Sequence, residues 1–304
     1  DIDKCHDYIR NGESYELCLT NSFTATTTPS STPPSPFHLY SILREKNPAP
    51  FSSFFQLPSV TICCSSPERF LSLSSTTTST TTPTIVTSQP IKGTLPRIGF
   101  NDNIQRAKLS ACQKNRAENL MIVDLLRNDL GRVCQAGSVS VPKCMAIETF
   151  ATVHQMVSTV TGALEEGTTA VDVVKACFPG GSMTGAPKIR SCELLRDMEE
   201  RMTTKRGGGG GSGDGRRGVY SGALGWMGMT GGGMDLNIVI RTVVLTPEKE
   251  KGTTGGRGSF WRVSVGAGGA ITALSDAEDE WEEVLLKGRA VMEAVREWDG
   301  RKFY

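Results

Sequence analysis

The sequence predicts an α/β (α+β) protein. Segments whose apolar residues recur with helical period are interspersed with short alternating or β-branched runs. With 304 residues the chain can bury a large core, as one big α/β domain or two ordinary ones. A formal net charge of +1 speaks against a nucleic-acid-binding or polybasic membrane surface. No run of eighteen apolar residues exists, and Asp1-Ile2-Asp3-Lys4 is not a secretory leader. The nine cysteines contain no CxxC pair, only the adjacent Cys63-Cys64. That argues against a zinc site or a secreted disulfide framework and leads to the expectation of reduced thiols in a cytoplasmic protein.

Taken in order, Ile2 to Arg10 has apolar or aromatic residues at 2, 5, 8 and 9, predicting a helix stopped by Asn11-Gly12. Ser14 to Thr20 reads as a strand. Glu16 falls on the face opposite Tyr15 and Leu17, an odd place for a carboxylate if that face is buried and an ordinary one if it is solvated. A helix is expected over His38–Arg44 and strands over Pro50–Leu57 and Val60–Cys64, after which Glu68 follows a proline at a strand end. Asn101 to about Gly131 reads as one long helical region, in which Glu118, Ile122 and Leu125 share a face. Three low-complexity segments, at about 24–36, 72–84 and 206–217, cannot contribute to a core and are read as loops inserted into a single domain spanning 1–304.

The second half supplies most of the remaining candidates. Thr152 to Val160 reads as a strand with His154 and Ser158 on one face, where a lone histidine is more often a satisfied core residue than a catalyst. After a helix over Ala170–Cys177, the segment Phe178 to Lys188 is a glycine-rich loop running into another helix. Its backbone N–H groups suit an anion, but it lacks the nucleotide-binding GxxxxGK[ST] pattern, so a carboxylate is as plausible as a phosphate. Gly218–Trp226 and Asp235–Leu245 look like paired strands. Arg241, embedded in apolar sequence, calls for an anionic partner. Trp261–Val265 is a strand leading into Gly266–Ile271. The last helix opens on a capping box, Ser275-x-x-Glu278, with a core stripe through Trp281, Val284 or Leu285, Gly288, Val291 or Met292, Val295 and Trp298. Glu280, Glu283 and Lys287 lie on another of its faces.

Pro90-Ile91-Lys92-Gly93-Thr94-Leu95-Pro96-Arg97 is the stretch that matters most. In isolation it is a turn with a solvated lysine. In a site that frees the amine's lone pair, the same lysine becomes a nucleophile.

Together, Tyr15–Thr20, Ser66–Leu71, Pro90–Arg97, Glu118–Asp129, Gly180–Lys188 and Ser275–Lys287 resemble the chorismate-utilising enzymes, a family that includes anthranilate, isochorismate, salicylate and aminodeoxychorismate synthases. The resemblance implies two face-packed, mostly antiparallel sheets flanked by helices, with the active site in the cleft between the halves. It further implies chorismate as substrate and Mg²⁺ as cofactor, held by Glu118 and Glu283 with Glu280 in support. Tyr220, Arg241, Lys287 and the backbone of Gly266, Gly268 and Gly269 match binders of the substrate carboxylates. Ser182 and Thr94 match ring-side hydroxyls, His154 a ring-side histidine, and Glu68 the acid that helps the C4 hydroxyl leave. Two positions separate the branches. Isochorismate and salicylate synthases carry a lysine base where this chain has Glu16, and anthranilate synthases generally carry alanine in place of Lys92. Lys92 therefore resembles the aminodeoxychorismate branch, in which the amine attacks C2 and ammonia then enters at C4. Anthranilate synthesis is the alternative, and a non-catalytic chorismate-binding scaffold the second. A glutamine amidotransferase, as another chain or an upstream domain, is the expected source of ammonia.

Overall fold

The structure, a computed structural model, describes residues 1–28, 30, 33–74, 83–205, 216–229, 233–249 and 259–300. In chain order the helices are α1 (Ile2–Arg10), α2 (Pro36–Lys46), α3 (Asp102–Ala111), α4 (Gln113–Gly131), α5 (Ala170–Cys177), α6 (Lys188–Lys205) and α7 (Ala277–Asp299). The strands are β1 (Glu16–Thr26), β2 (Phe51–Gln56), β3 (Thr61–Ser66), β4 (Arg69–Leu73), β5 (Ile85–Gln89), β6 (Ile91–Pro96), β7 (Ser140–Thr149) and β8 (Val153–Ala163). They continue with β9 (Gly185–Ala186), β10 (Ala223–Met227), β11 (Met234–Ile238), β12 (Thr242–Lys249) and β13 (Ser259–Ile271). The chain forms two compact units, each with its own antiparallel sheet and helices.

One unit comprises 1–67, 190–222 and 239–304. Its strands pair in the order β2-β3-β12-β13-β1, and β13 is central because it pairs with β12 and β1 together. Tyr40, Leu43, Val243, Val263, Val291 and Trp298 share one core, which joins α2 and α7 to the sheet. A second core gathers Cys5, Leu17, Leu195, Met198 and Ile271. Burial of such side chains contributes roughly 1.5–3 kcal/mol each, which fixes the helices on the sheet.

The other unit comprises 68–189 and 223–238. Its strands run β10-β11-β4-β5-β8-β6, with β7 also paired to β8. Ile122, Val123, Leu126 and Leu130 of α4 are buried, as the helical period requires.

Several expectations change. The helical region after Asn101 is two helices, broken at Cys112, whose ψ of 108° is extended. The run Asp235–Leu245 is not one strand: it divides into β11 and β12, which belong to different sheets. Arg241 accordingly sits not in a strand but at φ +52° between them. Thr24–Thr26 extend β1 instead of starting a loop, and Thr27 is buried where its hydroxyl accepts the Trp261 N–H at 2.9 Å. The other two low-complexity segments fall largely outside the described residues, at 75–82 and 206–215. The α7 capping box does not form. Asp276 is the N-cap, accepting from the N–H groups of Glu278 and Asp279, while Ser275 donates to Glu280 at 2.6 Å. Trp281 and Leu285 are exposed at the edge of the expected stripe, and Glu280 is buried.

Candidate functional site

Lys92 is not in a turn. It lies on β6, and its side chain is only 10 % exposed, with Nζ 3.5 Å from Glu118 Oε2 of α4. The pairing of β6 with β8 slips between Ile91 and Thr94, and Gly93 there has φ +84°. A glycine in the left-handed region at a register slip is a bulge, which re-aims the neighbouring side chain. In a regular strand Lys92 and Thr94 would share a face; here Lys92 is buried and Thr94 exposed. The Thr94 hydroxyl accepts from Gln155 Nε2 at 3.3 Å.

His154, on β8, is buried. Its Nδ1 is 2.9 Å from Thr149 Oγ1 and its Nε2 is 3.4 Å from Asp102 Oδ1, so both ring nitrogens face polar groups. Burial works to raise the Asp102 carboxyl, but hydrogen bonds from Arg97, the Ile98 N–H and His154 outweigh it and hold the group below the usual carboxylate range. Ser158, two positions on from Met156, donates to Asn119 Oδ1 at 2.5 Å and accepts the Met145 N–H at 2.8 Å.

Glu68 precedes β4 and is buried, accepting a hydrogen bond from Ser182 Oγ at 2.8 Å. Ser182 stands in the single 3₁₀ turn Gly181–Met183 of the glycine-rich loop. Glu68, Ser182, Ser88, Pro90, Gly180 and Gly181 are among the residues lining one small recess. The glycines leave space for their neighbours: a Cβ on Gly180 would come within 2.6 Å of the Ile238 side-chain end, and one on Gly181 within 2.6 Å of that of Leu125. Beside Glu68, Arg69 grips Asp235 with two hydrogen bonds of 3.0 and 2.9 Å and reaches Gln89 at 2.8 Å. This network fixes the strand end from which Glu68 projects.

The unit around β13 carries the other candidates. Tyr220 is buried over Gly266, where a Cβ would come within 2.3–2.6 Å of the ring. Burial pushes the Tyr220 phenol up, so it stays a neutral hydrogen-bonding group at neutral pH. Gly266 and Gly268 share one face of β13 by strand period, whereas Gly269 faces α7, 2.9 Å from Glu280 Oε2 to where its Cβ would stand. Lys287 Nζ donates to the Gly268 carbonyl at 3.1 Å and pairs with Glu283 at 2.6 Å. Glu16 is fully buried, so the solvated alternative for it fails.

Among the described residues, no group of three or more histidine, cysteine, aspartate or glutamate side chains is arranged to hold a metal ion. No helix among them is long and apolar enough to cross a membrane.

In comparison with known proteins, the family described as chorismate binding enzyme matches residues 1–293. The chain belongs to the chorismate-binding enzyme family. It is 46 % identical over 98 % of its length to a protein named probable aminodeoxychorismate synthase, chloroplastic, from Oryza sativa subsp. japonica, of which it covers 29 %. It is 36 % identical over 95 % of its length to aminodeoxychorismate synthase component 1 of Escherichia coli (strain K12), of which it covers 55 %. The crystal structure of anthranilate synthase component I from Streptococcus pneumoniae TIGR4 superposes with a TM-score of 0.74 at 32 % identity, covering 95 % of this chain and 56 % of that one. The chain thus spans about half the length of its bacterial relative and less than a third of the plant one.

Three features of this family member escape sequence reading. Gln155, the partner of Thr94, lies beside His154 and carries no pattern of its own. Asp102 and Thr149 face the two nitrogens of His154; Thr149 is its register partner on β7, and Asp102, 52 residues away in sequence, is brought there by the start of α3. Arg217, half-buried at the end of what composition reads as a glycine-rich loop, forms an ion pair with the buried Glu199.

Proposed function

We propose that this chain is the chorismate-aminating part of an aminodeoxychorismate synthase, converting chorismate and ammonia to 4-amino-4-deoxychorismate and water, a step toward 4-aminobenzoate and folate. The observation that carries this reading is Lys92. A buried lysine set on a glycine bulge against a carboxylate is poorly explained as a surface charge, and its position is the one that separates the C4-aminating branch. The names of the plant and bacterial relatives support the same activity.

In this reading Lys92 reacts as the neutral amine, having released its extra proton to water before the cycle begins. Its Nζ then bonds to ring C2 as the ring double bonds shift and the C4–O bond breaks. Glu68 supplies the proton with which the hydroxyl leaves as water. Ammonia next forms the C4–N bond, the C2–Nζ bond breaks, and the surplus proton returns to Glu68. Ser182, which donates to Glu68 at 2.8 Å, orients that carboxyl group. His154 and Thr94 flank the ring. Tyr220, Arg241, Lys287 and the backbone at Gly266, Gly268 and Gly269 receive the substrate carboxylates.

Mg²⁺ belongs to the same reading. The carboxylates of Glu118 and Glu283 are suitable hard-oxygen donors, with Glu280 in support, and Mg²⁺ commonly takes only one or two protein carboxylates. When bound, the ion would neutralise negative charge on the substrate. The designation component 1 in the Escherichia coli relative supports a second component here as well, which we assign as a glutamine amidotransferase, fused or separate.

The likeness to anthranilate synthase component I favours a second reading, amination at C2. Incubation with chorismate, Mg²⁺ and ammonium, followed by identification of the product by mass and retention time, separates the two. The expected product is 4-amino-4-deoxychorismate. Anthranilate would establish the second reading, and bound but unconverted chorismate would reduce the chain to a binding scaffold.

A further inference from the structure

Arg217 closes a glycine-rich run, yet it is a half-buried junction of three segments. Its Nε donates to Glu199 Oε2 at 2.9 Å and its Nη2 to Glu199 Oε1 at 2.6 Å, a two-point grip on α6. Nη2 also donates to the Cys18 carbonyl of β1 at 2.7 Å, and Nη1 to Ser221 Oγ at 3.2 Å. Ser221 stands at φ +67°, a left-handed conformation that a residue with a side chain adopts at a cost.

The turn held in this way carries Tyr220. Its far end is tied to the chain that leads to Arg241: the Ser221 N–H donates to the Val239 carbonyl at 2.9 Å, and the Val239 N–H to the Gly222 carbonyl at 2.9 Å. Arg241, two residues on, is itself at φ +52°. One guanidinium therefore fixes α6, β1 and a strained turn, and the turn fixes the segment bearing the next functional candidate. A lysine could not do this, because the contacts use three nitrogens in the fixed geometry of the guanidinium fork.

We propose that Arg217, oriented by Glu199, is a positioning residue that sets Tyr220 and Arg241 for the acidic groups of the substrate. This rests on the chorismate reading above. Arg217 touches no substrate in this scheme and acts through Ser221.

The test uses the whole chain and three variants, with chorismate affinity by calorimetry and steady-state amination under saturating ammonium. Arg217→Lys should raise Kd and KM for chorismate at least tenfold while kcat stays within about threefold of the parent. Ser221→Ala leaves the Arg217–Glu199 pair intact, so the fold is kept, and should raise KM several-fold by removing the hydroxyl that Arg217 holds. Combining Arg217→Lys with Ser221→Gly should bring KM back toward the parent value, since glycine adopts the left-handed conformation unaided; loss of packing alone would not be rescued in this way. An unchanged KM in Ser221→Ala, or an Arg217→Lys defect that Ser221→Gly leaves untouched, would overturn the proposal. If the parent chain neither binds nor converts chorismate, the functional reading itself falls, and this inference with it.

Discussion

Gly93→Ala should damage the site through the backbone, without touching a reacting group. Gly93 has φ +84°, and a Cβ there would stand 2.5 Å from Asn115 Nδ2, 2.7 Å from Asn115 Cγ and 2.8 Å from Leu109 Cδ1. Placing an ordinary residue in the left-handed region costs about 1–2 kcal/mol. Forcing a methyl into a closed contact adds about 1–3 kcal/mol. The sum, about 2–5 kcal/mol, corresponds to a fall in Tm of roughly 4–20 °C for a unit of this size. Asn115 is one turn of α4 before Glu118, so relief of the clash also moves the carboxylate that faces Lys92. Thermal unfolding followed by circular dichroism measures the first effect and chorismate amination the second. Asn115→Ala in the Gly93→Ala background removes the nearest clashing atoms and should recover the packing share while the conformational share remains. A Tm unchanged within 2 °C in Gly93→Ala, or no recovery in the double variant, would show that the bulge is not what fixes Lys92.

Two further outcomes follow from burial. Lys188 Nζ lies 2.6 Å from Asp129 Oδ2 and 2.7 Å from the Cys177 carbonyl, and burial pushes the Asp129 carboxyl up despite this partner. Lys188→Met should therefore destabilise by about 3–5 kcal/mol in urea titration, and a loss below 1 kcal/mol would contradict the ion-pair account. Among the nine cysteines Cys144 is exposed, Cys112 and Cys192 are half-buried and six are buried. Burial pushes the thiols of Cys5, Cys63 and Cys177 up to about 12 and that of Cys134 up to about 11. At pH 8 a thiol reagent followed by peptide mapping should label Cys144 first and these four only after denaturation. Rapid labelling of Cys177 in the native protein would contradict the packing around α5.

Residue patterns reveal the periodic elements of this fold and miss its interruptions. Helix α1 lies where its apolar spacing and its Asn11-Gly12 stop signal place it, and α5 spans the expected Ala170–Cys177, because local sequence decides both. The breaks at Cys112 and Arg241 have no such signal: neither is a glycine or proline, and each is imposed by where the next element must pack. Glu280 lies outside the apolar stripe yet is buried, since Ser275 supplies a hydrogen bond that only the folded loop can bring to it. The same holds for the candidate site. Lys92 and Glu118 stand out as residue types in a pattern, but their approach to 3.5 Å depends on the bulge at Gly93. Arg217 was hidden for the opposite reason. A run of glycines predicts an uncommitted loop, and composition says nothing about the one arginine at its end that reaches Glu199.

A covalent bond between Lys92 and the substrate is the central step of the proposed reaction. Intact-mass analysis of the chain mixed with chorismate and Mg²⁺, with ammonia withheld, tests this directly. The expected result is an added mass equal to chorismate less one water, located on Lys92 by peptide mapping, absent from Lys92→Ala and discharged as 4-amino-4-deoxychorismate when ammonium is added. An unmodified chain that nevertheless aminates chorismate at C4, or a Lys92→Ala variant that keeps that amination, would contradict it.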